Sequence, residues 1–519
     1  MVADLSTNPV RWEESRGVVT LVLDDPTQRV NTLNTALVEA LAEAIDRLGR
    51  EQDRIDGVIL RSAKRSFLAG GDLNRLLAVQ PADIHEFTAD LDLRKALYRR
   101  LELYPKPVVA LIDGPALGGG LELALCCHHR IGVDNGRTVV GLPEIGLGLF
   151  PGAGGTVRTV RRLGLTRALK ELLLSGRQLN LTEAMAAGLI DEPAVSLGRG
   201  EQLAREWIAS KPTPLPRTPD VAPAELASSA VAVSTGANRA AELLIEVAVE
   251  SVKLKFDDAM RLESAVFGEL VVDPATKNCI RTHFFDTGAL RRRVTALGSS
   301  DVVRPVVTPL SPAVNDMLRK PSWAAVIDVA GLESGGGHGL DADARMSWDG
   351  CTAPTQVWFY PDAVGDGQRV IECGRTGEED PLLVALAKSG VLTIPLTPGA
   401  GPYGRRVQEA IASVYRRHLD ISGSPEHVRQ TACWAGLTSE ARTSITGPPV
   451  DFDLVCSLLN EVAERAVAAG AALDDAADLD VASVRSGGFP GWTGGVRRWL
   501  DEGTKTLTEM IELRERKAR

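Results

Sequence analysis

The sequence has no segment that could span a membrane, no disulfide framework and no excess of positive charge. The opening segment Met1–Pro9 is polar and shows no signal-peptide pattern. No apolar run approaches the roughly 20 residues of a spanning helix. Seven cysteines stand at positions 126, 127, 279, 351, 373, 433 and 456. The count is odd, the spacing irregular and CxxC absent, which excludes a disulfide scaffold or a zinc site and fits free thiols in a reducing cytoplasm. Lys and Arg number 58 against 68 Asp and Glu, a formal net charge of -10. An acidic chain has no general attraction for nucleic acid or an anionic membrane, so neither is expected as a partner. An anionic small substrate would have to be met by locally placed donors. There is no internal repeat and no spacing of metal ligands. His128 and His129 are adjacent, and neighbours on a helix face apart, so no metal is expected there.

What remains is ordinary for a globular chain. Hydrophobic residues make up 44% and charged residues 24% of 519, enough for about three domains. Gly17–Leu23 and Gly57–Arg61 read as strands, and Thr35–Leu48 as an amphipathic helix. Pro107–Asp113 reads as a strand, and Gly114–Leu125 as glycines opening a helix. Thr138–Val140 is a further short strand, and Arg158–Gly176 and Leu181–Gly188 are helical. Lys211–Pro223 holds five prolines and reads as a linker. Ala237–Arg261 reads as one long helix continued by Glu263–Leu270. Strands are expected at Ala324–Val329, Gln356–Tyr360 and Leu392–Pro395, and helices at Tyr403–His418 and Asp451–Ala468. Alternation of strands and helices predicts an α/β fold class with mostly parallel strands in the first part.

Three segments are chemically loaded: Ser66–Asp72 (SFLAGGD), Gly114–Leu125 (GPALGGGLELAL) and Gly141–Gly155 (GLPEIGLGLFPGAGG). Glycine lets backbone N–H groups approach a ligand closely, so two such loops can aim two donors at one oxygen. Glu122 lies in the apolar run Leu121–Leu125, where a carboxylate must be paired, neutralised or functional. Glu144 follows Gly-Leu-Pro, with Ile145 and Leu147 behind it. Two carboxyl groups in partly apolar surroundings suit acid/base work. Taken singly, a glycine turn is most often structural, and a Glu after Pro is usually a helix-start or solvated loop residue.

In this order the three segments, with LLLSGRQLNLTEAMAAGLIDE after them, resemble the enoyl-CoA hydratase/isomerase (crotonase) superfamily over about the first 200 residues. The resemblance implies a ββα spiral of the ClpP/crotonase type. It also implies an oxyanion hole from the N–H groups of Gly71 and Gly119, and Glu122 and Glu144 as the catalytic pair. Ala69, Gly70 and Asp72 would line the path of the CoA moiety, and Arg29 would meet a CoA phosphate. The reaction implied is hydration of a 2-enoyl-CoA thioester, or the reverse dehydration, needing no cofactor beyond the CoA of the substrate. Relatives often form trimers and hexamers, so a homo-oligomer is open to this chain. Two further readings stand beside hydration. One is another reaction of this fold on a CoA thioester, isomerisation or C–C cleavage. The other is a non-catalytic scaffold subunit holding a thiolase-like partner.

Beyond residue 205 the chain is similar to the alpha subunit of the bacterial multifunctional fatty-acid oxidation complex, on Leu262–Phe285 and Asp478–Gly495. In that family a 3-hydroxyacyl-CoA dehydrogenase follows the crotonase domain. Here its parts are missing. No G-x-G-x-x-G lies between Phe285 and Val326, and the cluster Gly335–Gly339 has the wrong spacing. Trp358 stands where the family has its catalytic His, and a Trp accepts no proton. The partner Glu survives as Glu372, while the family's Asn is replaced near Arg405. The expected organisation is a hydratase domain (1–205), a Pro-rich linker with connecting helices (206–290), a truncated Rossmann-like remnant (291–400) and a helical dehydrogenase-like region (401–519). NAD binding is not expected.

Overall fold

Strand β2 (Val18–Leu23) is buried at every position, as its β-branched run requires. It sits second in a six-stranded sheet. The edge strand β1 (Val10–Ser15) pairs antiparallel with it. The computed structural model describes residues 8–210, 239–296, 305–308, 343–348, 355–360, 370–374, 387, 392–397, 402–438, 451–470, 473 and 478–518. The expected strand Ala324–Val329, the linker Lys211–Pro223 and the cluster Gly335–Gly339 lie outside these residues. The chain divides into two units, the second beginning at Asp273 in the described chain. None of the described helices is long and apolar enough to cross a membrane.

In the first unit α1 (Thr35–Arg50) links β2 to β3 (Gly57–Ser62). Asn34 caps α1 through a hydrogen bond from Leu37 N–H. The main sheet then adds β5 (Val108–Ile112), β7 (His129–Val133) and β10 (Glu192–Ala194), all parallel to β2. Strands covered on both faces read as continuous apolar runs, which is why VVTLVL and VVALI show no alternation. A second, smaller sheet is built from β4 (Leu68–Ala69), β6 (Ala116–Leu117), β8 (Val139–Gly141) and β9 (Gln178–Asn180). The first three run parallel, and β9 closes antiparallel. The main strands β3, β5 and β7 are followed in the chain by β4, β6 and β8 respectively. The chain thus lays down the same two-strand unit three times, a ββα spiral.

Helices complete the unit. α2 (Leu73–Ala78) and α3 (Ile84–Glu102) follow β4, α4 (Gly119–Leu125) follows β6, and α5 (Gly155–Leu163) follows the loop after β8. α6 (Leu165–Arg167), a π-helical turn over Ala168–Leu173, α7 (Leu181–Ala186) and α8 (Leu197–Ala209) come next. The long helix expected from Ala237 is two helices, α9 (Ala240–Ser251) and α10 (Phe256–Val271). A turn at 252–255 separates them, and α10 packs on α3 and α5. The sequence assigns both to a connecting segment. The structure instead gives Arg239–Val272 to the first unit, because their buried faces complete its core. The segment Leu262–Phe285 is likewise broken. Asp273 caps a new helix, α11 (Pro274–Ile280), whose Pro at the first position cannot continue α10.

The second unit continues from α11 through a π-helical turn (Arg281–Asp286) to α12 (Thr287–Ala296). Its sheet has the order β11 (Pro305–Thr308), β12 (Asp343–Trp348), β13 (Thr355–Tyr360), β14 (Val370–Gly374) and β15 (Leu392–Leu396). Only β14 and β15 pair in parallel among these strands. A Rossmann-like remnant would be parallel throughout, so the described part of 291–400 departs from that expectation in strand direction. Beyond it lie helices Tyr403–Ile421, Pro425–Ala435, Phe452–Ala468, Leu479–Arg485 and Val496–Ala518. They enclose a tryptophan core in which the Trp492 ring packs edge-on to Trp499 at 5.5 Å and to Trp434 at 6.1 Å.

Candidate active site

Three parallel strand ends build the site. β4 pairs with β6 through Leu68↔Ala116 and Ala69↔Leu117, and β6 with β8 through Ala116↔Val140 and Leu117↔Gly141. Gly70 and Gly71 therefore leave β4 beside Gly118 and Gly119 leaving β6, with Gly141 of β8 on the other side. Gly70 N–H donates to Leu117 O at 2.8 Å and Gly118 N–H to Gly141 O at 2.9 Å. The N–H groups of Gly71 and Gly119 donate to no acceptor among the described residues. Gly71 is exposed and Gly119 buried.

The glycines are there for space. A Cβ on Gly120 would stand 2.1 Å from Leu68 O, and one on Gly119 2.3 Å from Leu33 Cδ1. Gly118 has φ +53, in the left-handed region, and a Cβ there would meet Glu144 Oε1 at 2.6 Å. A Cβ on Gly71 would meet nothing within 4 Å.

Glu122 sits in the first turn of α4 and is 3% exposed. Its Oε1 accepts from Ala153 N–H at 2.7 Å and Gly155 N–H at 2.8 Å. Burial and the charge of Glu263 push its carboxyl up to about 7, against those two amides, which favour the anion. Glu144 lies in a 3-10 turn, Pro143–Leu147, after β8. Its Oε2 is buried and has no hydrogen-bond partner among the described residues. Burial, then the charge of Glu122, holds its carboxyl well above the usual range. The two environments differ in kind. Glu122 is equipped to be an anion near neutral pH, and Glu144 to keep its proton.

Behind Glu122 stands a charged network that sequence reasoning missed. Glu263 of α10 is wholly buried and accepts from Gly154 N–H at 2.7 Å and Val157 N–H at 3.1 Å. Lys95 of α3, 3% exposed, pairs with Glu263 at 3.0 Å and donates to Met260 O at 2.9 Å. Arg158 of α5 pairs with Glu102 of α3 at 3.2 Å, and Arg99 joins that carboxylate at 3.0 Å. A signal for Glu263 was present, since it shares one helical face with Phe256, Met260, Phe267 and Leu270, all buried. A Glu in such a stripe is a buried Glu.

The other expected residues fall differently. Asp72 spends its carboxylate capping α2, accepting from Asn74 and Arg75 N–H. Ala69 and Gly70 are half-buried at the end of β4, and the Ala69 N–H is taken by Asn31 O at 2.9 Å. Arg29 is exposed and forms no ion pair among the described residues. The His128 ring is bound on both sides. Its Nδ1 accepts from Val108 N–H at 3.0 Å, and its Nε2 lies 2.9 Å from Glu102 O, which fixes the tautomer with Nε2–H donating. His129 stacks on Trp207 at 4.6 Å. In the second unit, position 358 lies directly across from Glu372 in the β13–β14 ladder. The Glu372 carboxylate is wholly buried and accepts from Gly404 N–H at 2.8 Å and Ser486 Oγ–H at 2.5 Å. It is committed to holding the start of the Tyr403–Ile421 helix.

Comparison with known proteins bears on the first unit. Residues 13–249 match the model of the enoyl-CoA hydratase/isomerase family. Over 188 residues the chain is 38% identical to the fatty acid oxidation complex subunit alpha of Aliivibrio fischeri, a stretch covering 36% of this chain and 27% of that protein. The match thus spans about a quarter of the length of that curated relative. Among solved structures, an enoyl-CoA hydratase from Thermoplasma volcanium is 26% identical, covering 52% of this chain and 95% of the other, with a TM-score of 0.36. One from Bacillus anthracis is 27% identical, covering 50% and 89%, with a TM-score of 0.35. Residues 13–249 form an enoyl-CoA hydratase/isomerase-family domain.

Proposed function

We propose that this enoyl-CoA hydratase/isomerase-family domain adds water across the double bond of a 2-enoyl-CoA thioester, or removes it from the 3-hydroxyacyl form. The observation that carries the reading is the unequal pair of carboxyl groups. Glu122 holds two amide donors and titrates near 7, while Glu144 has a buried oxygen without a partner and keeps its proton to higher pH. One base and one acid side by side are what hydration needs.

In this mechanism the thioester oxygen lies between the N–H groups of Gly71 and Gly119. Negative charge grows on it as water attacks Cβ, and two preformed donors stabilise that charge more than they stabilise the neutral substrate. Ionised Glu122 takes a proton from the attacking water. Glu144 gives its proton to Cα. Run backwards, the same groups expel water. Isomerisation of a double bond needs one group to remove and return a proton, so a second carboxyl tuned as an acid favours hydration.

The second unit takes no part in hydride chemistry in this reading. It has Trp358 in place of a proton acceptor, no G-x-G-x-x-G between Phe285 and Val326, and Glu372 tied to the backbone. The chain is then a hydratase joined to a dehydrogenase-like body without that activity.

The test is to follow the loss of conjugated thioester absorbance with crotonyl-CoA and longer 2-enoyl-CoAs, adding NAD once hydration is complete. Hydration with no NADH supports both halves of the proposal. A shifted double bond without water uptake would replace it by isomerisation, and NADH formation would overturn the reading of the second unit.

A further inference from the structure

Four amide donors at the start of α5, those of residues 153, 154, 155 and 157, are divided between two carboxylates. Ala153 and Gly155 donate to Glu122, while Gly154 and Val157 donate to Glu263. The alternation depends on the backbone at Gly154, whose φ is +100 and whose Cβ, if present, would stand 2.0 Å from Arg158 Nη1 and 2.4 Å from Met260 Cε. The buried Glu263 is paired with Lys95 at 3.0 Å, itself buried and tied to Met260 O one turn earlier on α10. Hydration needs none of these contacts directly, and Glu263 lies beyond residue 249, where the family match ends.

We infer that Lys95 and Glu263 are positioning residues for Glu122, a buried neutral pair that fixes the turn entering α5 so that Ala153 and Gly155 N–H stay aimed at its carboxylate. The inference rests on the reading of Glu122 as the base. Loss of the pair would leave the 153–157 amides free to rotate, and Glu122 would lose both its orientation and its support as an anion. The pair also acts through its charges. Glu263 raises the proton affinity of Glu122 and Lys95 lowers it. Other groups facing Glu122 are Tyr98 of α3, Cys126 after α4 and Glu144, while Arg158 of α5 faces Glu263. The Arg158 charge is held by Glu102. Removing one member of the pair therefore leaves a single unbalanced charge beside the base, of opposite sign in the two cases.

The experiment titrates the Glu122 carboxyl in the full chain by infrared difference spectroscopy, identifying its band by its absence in Glu122→Gln. Glu263→Gln should move the midpoint to lower pH and Lys95→Met to higher pH, each by roughly half a pH unit or more. Lys95→Met/Glu263→Gln, neutral and near in volume, should return it close to the wild-type value. Gln accepts fewer of the amides than a carboxylate, so the double variant should also lose about tenfold in kcat with KM little changed. Equal midpoints in the folded single variants would overturn the inference. If a single variant does not fold, the double variant decides, and unchanged kcat there would overturn it. The spectroscopic titration needs no turnover. A wild-type protein that hydrates no enoyl-CoA would sink the hydratase reading, while the opposite shifts would still decide the positioning.

Discussion

Gly118 and Glu144 occupy one space: the position of a Cβ on residue 118 lies 2.6 Å from Glu144 Oε1. Glycine at 118 is required twice, by that contact and by its φ of +53. Gly118→Ala is expected to cost about 2–3 kcal/mol and to displace Glu144, lowering hydration with it. Gly71→Ala is the control, since its added methyl meets nothing. It should change stability by less than about 1 kcal/mol. Its methyl would stand beside the N–H that receives the thioester oxygen, so hydration should still fall about tenfold or more. Urea unfolding and hydration rates on both variants check the contrast, and a Gly118→Ala protein as stable as wild type would contradict it.

Removing either carboxyl should stop the chemistry without stopping binding. Glu122→Gln and Glu144→Gln are each expected to lower kcat by about a thousandfold, with thioester affinity changed by less than about fivefold. Stopped-flow hydration and calorimetric binding of a saturated acyl-CoA separate the two effects. Turnover near wild type in either variant would remove that residue from the mechanism.

The rate should follow the ionisation of the base. Hydration is expected to rise with pH through a midpoint near 7 as Glu122 loses its proton, and to decline at higher pH as Glu144 loses its own. A kcat/KM profile from pH 5 to 10 measures both limbs. A flat profile through neutrality would mean that Glu122 is not the base.

The same carboxyl should tax stability as pH rises. Glu122 keeps its proton in the folded chain up to about 7, against an ordinary 4.5. The folded state therefore binds the extra proton in that interval. The stabilisation is complete below about pH 4.5 and is lost as pH rises through 7, by about 3 kcal/mol. Glu122→Gln has no such dependence, so relative to wild type it should gain that much between pH 4.5 and pH 8. Denaturant titrations at the two pH values test it, and a constant difference would contradict the buried, proton-holding environment.

Much of this site was legible because its loops are made of rare residue patterns. Gly70-Gly71 and Gly118-Gly119-Gly120 announced close backbone approaches, and Glu122 inside LELAL announced a buried carboxylate. The strands that set these loops side by side were less visible, since β4 and β6 are two residues each and too short to show a period. α3 left no readable stripe because Lys95 and Glu102 occupy positions on its buried face, and charges in core positions erase an apolar pattern. Lys95 and Glu102 were thus hard to read for the reason that makes them useful. Glu263 differs: the apolar stripe of α10 is intact around it, and a lone Glu on that stripe marks a buried carboxylate. Asp72 has a second role that its place beside glycines did not announce, that of a helix cap.

The placement of Glu263 on α10 has a consequence for how the protein is made. Glu122 leaves the ribosome 141 residues before the carboxylate that shares its amide run. At ordinary elongation rates that interval is roughly 7–28 s. Throughout it Lys95 has no Glu263 to pair with, and the Gly154 and Val157 amides have no acceptor. The spiral of strands can assemble early from its own contacts, but the turn that orients the base waits for α10. A nascent chain halted after residue 210 would lack α9 and α10, and with them part of the core and the partner that finishes the base.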